Sequence, residues 1–369
     1  MLPPSSSLHA AAHPATALPP AGADPCWQVL DTTGFPGERV NSPLLALNQQ
    51  GIPYLGYTSD SRQLQVHCHV HGQWHALNRS GLPASASLEA LCIGRHGQVF
   101  IACMDDGENG AATVLQYTGE QWQTVGKAGF SSSRAYNLRL ALDGRDIPVL
   151  CFSDGDAWNG VVRRYRPEIA NWLVSGNIAF GMSVDDPSLA LDAYGLPYVA
   201  FIDTNAAAIR VKRLQDGVWR MLNAGLPRLT NPYHPTLAFT SDGTLFLSVG
   251  DMQTETIRLF RLHGEQWYET GDALHDAARP TLAIAACGTP YLAFQDLADS
   301  RYRLQVRRLR QQRWEQVGTT HASHGYSHSI SLALAADNRP YLASKDELGQ
   351  GGFLLSTLPA EEARPLMEA

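Results

Sequence analysis

The sequence predicts an all-β fold, a seven-bladed β-propeller with four antiparallel strands in each blade, on three observations. The first is a series of tryptophans, Trp27, Trp74, Trp122, Trp172, Trp219, Trp267 and Trp314, spaced by 47, 48, 50, 47, 48 and 47 residues. A second marker keeps the same beat in Pro53-Tyr54, Val99-Phe100, Pro148-Val149, Pro197-Tyr198, Leu245-Phe246, Pro290-Tyr291 and Pro340-Tyr341. The third is the content of each unit, four short apolar runs divided by Gly and Asp-Gly turn signals. A lone four-stranded sheet leaves both faces uncovered, so such units stack radially and cover one another.

The cleanest unit shows the four strands in order. Residues 188–191 predict the innermost strand a, 198–202 strand b, 208–214 strand c and 218–222 strand d. Their apolar runs are nearly continuous, as expected where neighbouring blades cover both faces of a sheet. The periodic Trp of strand d is read as packing between blades. Residues 26–30 have the strand d pattern with no strands a to c before them, so they are assigned to the sheet that begins at Ile330. That assignment closes the ring with one blade shared between the termini and leaves no open inner edge. One propeller domain then spans residues 25–359. Residues 1–24, rich in Pro, Ala and Ser, read as a disordered tail, and 360–369 as a short acidic tail.

A net charge of −7 argues against nucleic acid as a partner. The basic run at 301–313 alternates along one strand c and presents a single blade edge. Six cysteines at unrelated spacings read as small buried hydrophobes in a reducing compartment, without a disulfide framework or a zinc site. The start of the sequence has neither a charged n-region nor an apolar h-region, and no run approaches eighteen apolar residues. The expectation is a monomer without membrane insertion, cytoplasmic or exported without a Sec-type signal peptide, and with no cofactor and no metal.

Alternating strand direction places the b–c and d–a loops on one face of the disc. These loops are the longer and more varied, so a site is expected there. Aspartates end strand b in nearly every unit: Asp105, Asp154, Asp203, Asp251, Asp296 and Asp346. Repetition favours turn capping by the carboxylates, the alternative being a ring that binds cations or a basic partner. Positions where the units differ carry more information. Trp158 is the one Trp out of register, in a b–c loop, and Tyr136, Phe180, Tyr233 and Tyr326 are assigned to d–a loops on the same face. Two residues before each strand a, at the expected mouth of the central channel, stand Ser42, Leu88, Asn137, Asp186, His234, Arg279 and Ser329. With Asp185, His321, His324 and His328 they offer an acid/base or metal-binding group. His67, His69, His71 and His75 alternate along an outer pair of strands and read as solvated.

The pattern P-Y-[LV]-A-F-x-D, followed by strand c, W-x-x-V-G and S-L-A-L, resembles repeats of bacterial seven-bladed propellers in the style of kelch, BNR and propeller-lectin arrays. The resemblance covers residues 25–357. It implies the architecture and leaves activity open, because such propellers include lectins, polysaccharide lyases and scaffolds. No S-x-D-x-G-x-T-W box, G-H…W-D pair or FG-GAP signature is present. The sequence thus predicts a non-enzymatic module that binds a glycan or protein through Trp158, Tyr136, Asn137, Phe180, Asp186, Tyr233, His234, Arg279, Tyr326 and His328. The alternative is a polysaccharide lyase or glycoside hydrolase that uses His234, Arg279, His328 and Tyr233.

Overall fold

In the computed structural model the structure describes residues 26–30, 40–155, 157–176, 179–318, 329–345 and 353–358. They form seven four-stranded antiparallel sheets. Blades 1 to 6 occupy residues 40–76, 86–124, 135–174, 184–221, 232–269 and 277–316. Blade 7 combines Ile330–Leu334, Pro340–Lys345 and Phe353–Thr357 with Gln28–Val29 from the other end of the chain, which pairs with Phe353–Thr357. The ring is closed as the sequence predicts.

Blade 4 shows what the sequence reading missed. Its strands are Val184–Leu191, Pro197–Asp203, Ala208–Gln215 and Val218–Met221, so strand a begins four residues earlier than predicted. A bulge explains the difference. Asp185 pairs with Ile202, the register then skips, and pairing resumes with Ser188 opposite Ala200. Pro187 lacks an N–H and cannot enter the ladder, and the bulge carries the strand past it. Register shifts at the same point recur in blades 1, 2, 3, 5 and 6. Tyr136, Tyr233 and the channel-mouth residues of these blades therefore lie within strand a and not in the preceding loop.

The periodic Trp does pack between blades. In four of these tryptophans the indole N–H reaches back to a carbonyl of the preceding blade or the loop after it, from Trp172 to Val125 (2.7 Å), Trp267 to Leu222 (2.7 Å), Trp314 to Asp272 (2.8 Å) and Trp27 to Val317 (3.1 Å). After Trp122, Trp172, Trp267 and Trp314, a glycine four residues on seats the next Trp. A Cβ on Gly318 would stand 2.6 Å from the Trp27 indole nitrogen, and one on Gly271 3.1 Å from that of Trp314. The glycine of the W-x-x-V-G pattern is thus one half of an interblade socket.

Candidate functional site at the channel mouth

Strand a of every blade lines the axis, and all seven residues of the predicted ring border one cavity of about 570 Å³. Five of them, Ser42, Asn137, Asp186, His234 and Arg279, hold φ between 42° and 56° in the left-handed region. Non-glycine residues occupy that region at a cost of about 1–3 kcal/mol, and such strain gathers at functional sites.

Groups of the preceding blade stabilise the bulges. The backbone N–H of His234 donates to Asp186 Oδ2 (3.0 Å), that of Arg279 to the Tyr233 hydroxyl (3.1 Å) and that of Leu88 to Thr58 Oγ1 (2.8 Å). Asp186 does more. Its Oδ2 lies 2.7 Å from His234 Nδ1, and its Oδ1 accepts from Arg139 Nη2 at 3.1 Å. Burial works to raise the Asp186 pKa, but the hydrogen bond and charge of His234, with the charge of Arg139, outweigh it and hold the carboxyl below its ordinary value. Asp185 supports this arrangement by accepting from Asn137 Nδ2 (3.2 Å) and from the backbone of Asp186 (2.9 Å).

Arg139 and Glu89 also line the cavity and were not among the predicted residues. Burial pushes the Glu89 carboxyl up, opposed by the Ser87 hydroxyl and by Arg139 and Arg62. A signal for both existed in the sequence, since each places a charge inside an otherwise apolar strand a. Tyr233 packs its ring over Gly250, where a Cβ would meet it at 2.5 Å. Burial raises its phenol pKa, which keeps it protonated near neutral pH and makes it a poor proton acceptor.

On the same face, Trp158 is 37% exposed and stacks on Tyr136 with ring centroids 4.7 Å apart and planes inclined by 18°. The Arg134 guanidinium lies 5.6 Å from the Tyr136 centroid. Tyr136 immediately precedes Asn137, which ties the aromatic pair to the channel rim in blade 3.

Phe180 requires a correction. It is fully buried, edge-on to Phe201 and Trp219, and belongs to the packing between blades 3 and 4. Gly160 makes room for it, because a Cβ there would meet the ring at 2.4 Å. His67 is likewise buried and stacked on Tyr57, not solvated, and burial lowers its pKa to about 4. Tyr326, His328, His321, His324 and Asp346 lie outside the described residues.

The strand-b aspartates cap turns. Asp251 accepts from the backbones of Thr230, Asn231 and Gln253, Asp105 from Gly107 and Asp203 from Ala206. Among the described residues no three or more His, Cys, Asp or Glu side chains gather to hold a metal ion. Cys103 and Cys151 are buried, but Cys26 and Cys287 are exposed, so burial does not account for all six cysteines. No described helix is long and apolar enough to cross a membrane.

No family model matches the chain, and no curated protein matches it. Solved structures do. An ulvan lyase of polysaccharide lyase family PL25, bound to -[GlcA(1-4)Rha3S]-, is similar with a TM-score of 0.60 and 11% identity over 89% of this chain and 98% of that one. Its structure without that ligand gives the same values. The SapL1 lectin in complex with alpha methyl fucoside is similar with a TM-score of 0.53 and 11% identity over 77% of this chain and 98% of that one. At this identity the likeness is one of fold, and it agrees with the seven closed blades: the chain is a seven-bladed β-propeller.

Proposed function

We propose that this propeller is a glycan-binding module whose ligand sits at the channel mouth, on the face that bears the long loops. The observation that carries the reading is the ring of left-handed residues around the 570 Å³ cavity, with His234 oriented by Asp186 and Arg279 on the neighbouring blade. Donors and acceptors fixed at an open polar rim pair with sugar hydroxyls, and the Trp158–Tyr136 stack beside them offers an apolar face for C–H surfaces. A lyase and a lectin among the similar structures are named with sugar ligands, which supports a glycan over a protein partner. A glycan array probed with the full chain tests this. Trp158→Ala and His234→Ala are each expected to weaken the best signal at least tenfold, and unchanged binding in both variants removes the mouth from the site.

One observation favours catalysis as a second reading. With Nδ1 held at 2.7 Å by Asp186, the imidazole of His234 keeps Nε2 for a ligand, the arrangement of an oriented acid/base group, and Arg279 lines the same cavity. Incubation with uronic-acid polysaccharides separates the two. A lyase releases an unsaturated product that absorbs in the ultraviolet, and a binding module leaves the polymer intact.

A further inference from the structure

A second cavity, of about 320 Å³, shares no lining residue with the channel. It opens on the side of blade 4 that faces blade 3. Ile209 and Val211 of strand c pack towards blade 5, so Arg210 and Lys212 project the other way, where Phe201 lies. Met182 and Met221 complete the walls, 73% and 49% exposed.

The polar groups leave an excess of positive charge. Asp203 is engaged by Arg210 Nε (3.3 Å) and by the backbone N–H of Ala206 (3.1 Å). The Lys212 ammonium donates to a neutral group, the carbonyl of Phe180, at 2.6 Å. Two cations therefore face one occupied carboxylate, on a chain whose net charge is −7. Burial, with the charge of Arg210, lowers the Lys212 pKa against the opposing effect of Asp203.

The repeat does not demand this combination. Lys212 pairs directly with Met221 across strands c and d. The same pair is His67/Ala76 in blade 1, Leu115/Thr124 in blade 2, Arg163/Val174 in blade 3, Phe260/Glu269 in blade 5 and Arg307/Gln316 in blade 6. Among these six blades, a cation beside a thioether occurs in blade 4 alone. Two exposed methionines at the rim of a cationic groove are unfavourable in water and suited to a ligand, because the unbranched thioether adapts to irregular apolar shapes.

We propose that this groove binds a small organic carboxylate with an apolar body, the carboxylate on Lys212 and Arg210 and the body between Met182 and Met221. The volume matches the lower end of small-molecule sites, and charge-assisted bonds supply the orientation.

The test uses the full chain with its six methionines labelled at the methyl carbon, titrated with phenylacetate, hexanoate, 2-phenylethanol and benzylamine. Met182→Leu and Met221→Leu assign the two resonances. Saturable shifts of both are expected with the carboxylates, at least tenfold weaker with 2-phenylethanol and absent with benzylamine. Lys212→Gln should weaken phenylacetate at least tenfold, while Lys212→Arg keeps it within threefold. Should Lys212→Gln fail to fold, Arg210→Gln and the loss of affinity with added salt decide the matter. Equal binding of 2-phenylethanol or benzylamine, indifference to the charge variants, or no saturable methyl shift with either carboxylate overturns the proposal.

Discussion

Asp186 shows how much one side chain carries at the mouth. It joins Arg139 of blade 3 to His234 of blade 5, and it also accepts the backbone N–H that the bulge at His234 leaves out of the ladder. Asp186→Ala should destabilise the fold by about 1–3 kcal/mol at pH 7, the cost of leaving such partners unsatisfied. The depressed folded pKa sets the sign of the pH dependence. This contribution is present above the ordinary carboxylate pKa of about 4 and is lost as pH falls through the lower folded value, so variant and parent converge in acid. Denaturant unfolding at pH 7 and pH 3 measures the difference. His67 behaves in the opposite chemical sense. Its folded pKa is about 4, against an unfolded value of about 6.5. Stability is complete above the unfolded value and falls as the unfolded state takes up the proton, by about 2 kcal/mol between pH 7 and pH 5. Replacement by Phe should flatten that slope in the same unfolding experiment.

The element that joins blade 6 to blade 7 is the socket between Gly318 and Trp27. Gly318 has φ +82° and lies against Trp27, whereas Gly217 has φ +74° with nothing within 4 Å of a Cβ. Both substitutions to Ala force an L residue into the left-handed region, at about 1–2 kcal/mol. Only Gly318→Ala also drives a methyl into an indole, which adds about 1–3 kcal/mol. Thermal midpoints should therefore rank Gly318→Ala well below Gly217→Ala. Gln28–Val29 is the matching device at the other end of the chain. Deleting residues 1–30 removes the outer strand of blade 7 and leaves Phe353–Thr357 with an open edge. Open edges pair with other chains, so size-exclusion chromatography of the truncated chain should show dimers or aggregate where the full chain runs as a smaller species.

At the scale of the whole molecule, the channel mouth exists because seven strands a meet on one axis. Residues about 48 apart in sequence, such as Asp186 and His234, become hydrogen-bonded neighbours there. The ring positions were legible because the blades differ where the repeat itself sets no requirement. Arg139 and Glu89 were legible in principle, as lone charges inside an otherwise apolar strand a, but spacing alone does not say that such a charge faces the axis. Phe180 was misplaced for a related reason: an aromatic ring in a loop looks the same in sequence whether it meets solvent or a glycine such as Gly160 lets it in. By itself, then, the amino-acid sequence determined the blade count, the closure through Trp27 and the face that bears the long loops, because periodic packing writes itself into residue spacing. Tertiary structure alone decided that Phe180 is buried, that Asp186 is shared by Arg139 and His234, and where strand a begins. Those outcomes depend on bulges, left-handed backbone and contacts between blades, and no local spacing encodes them.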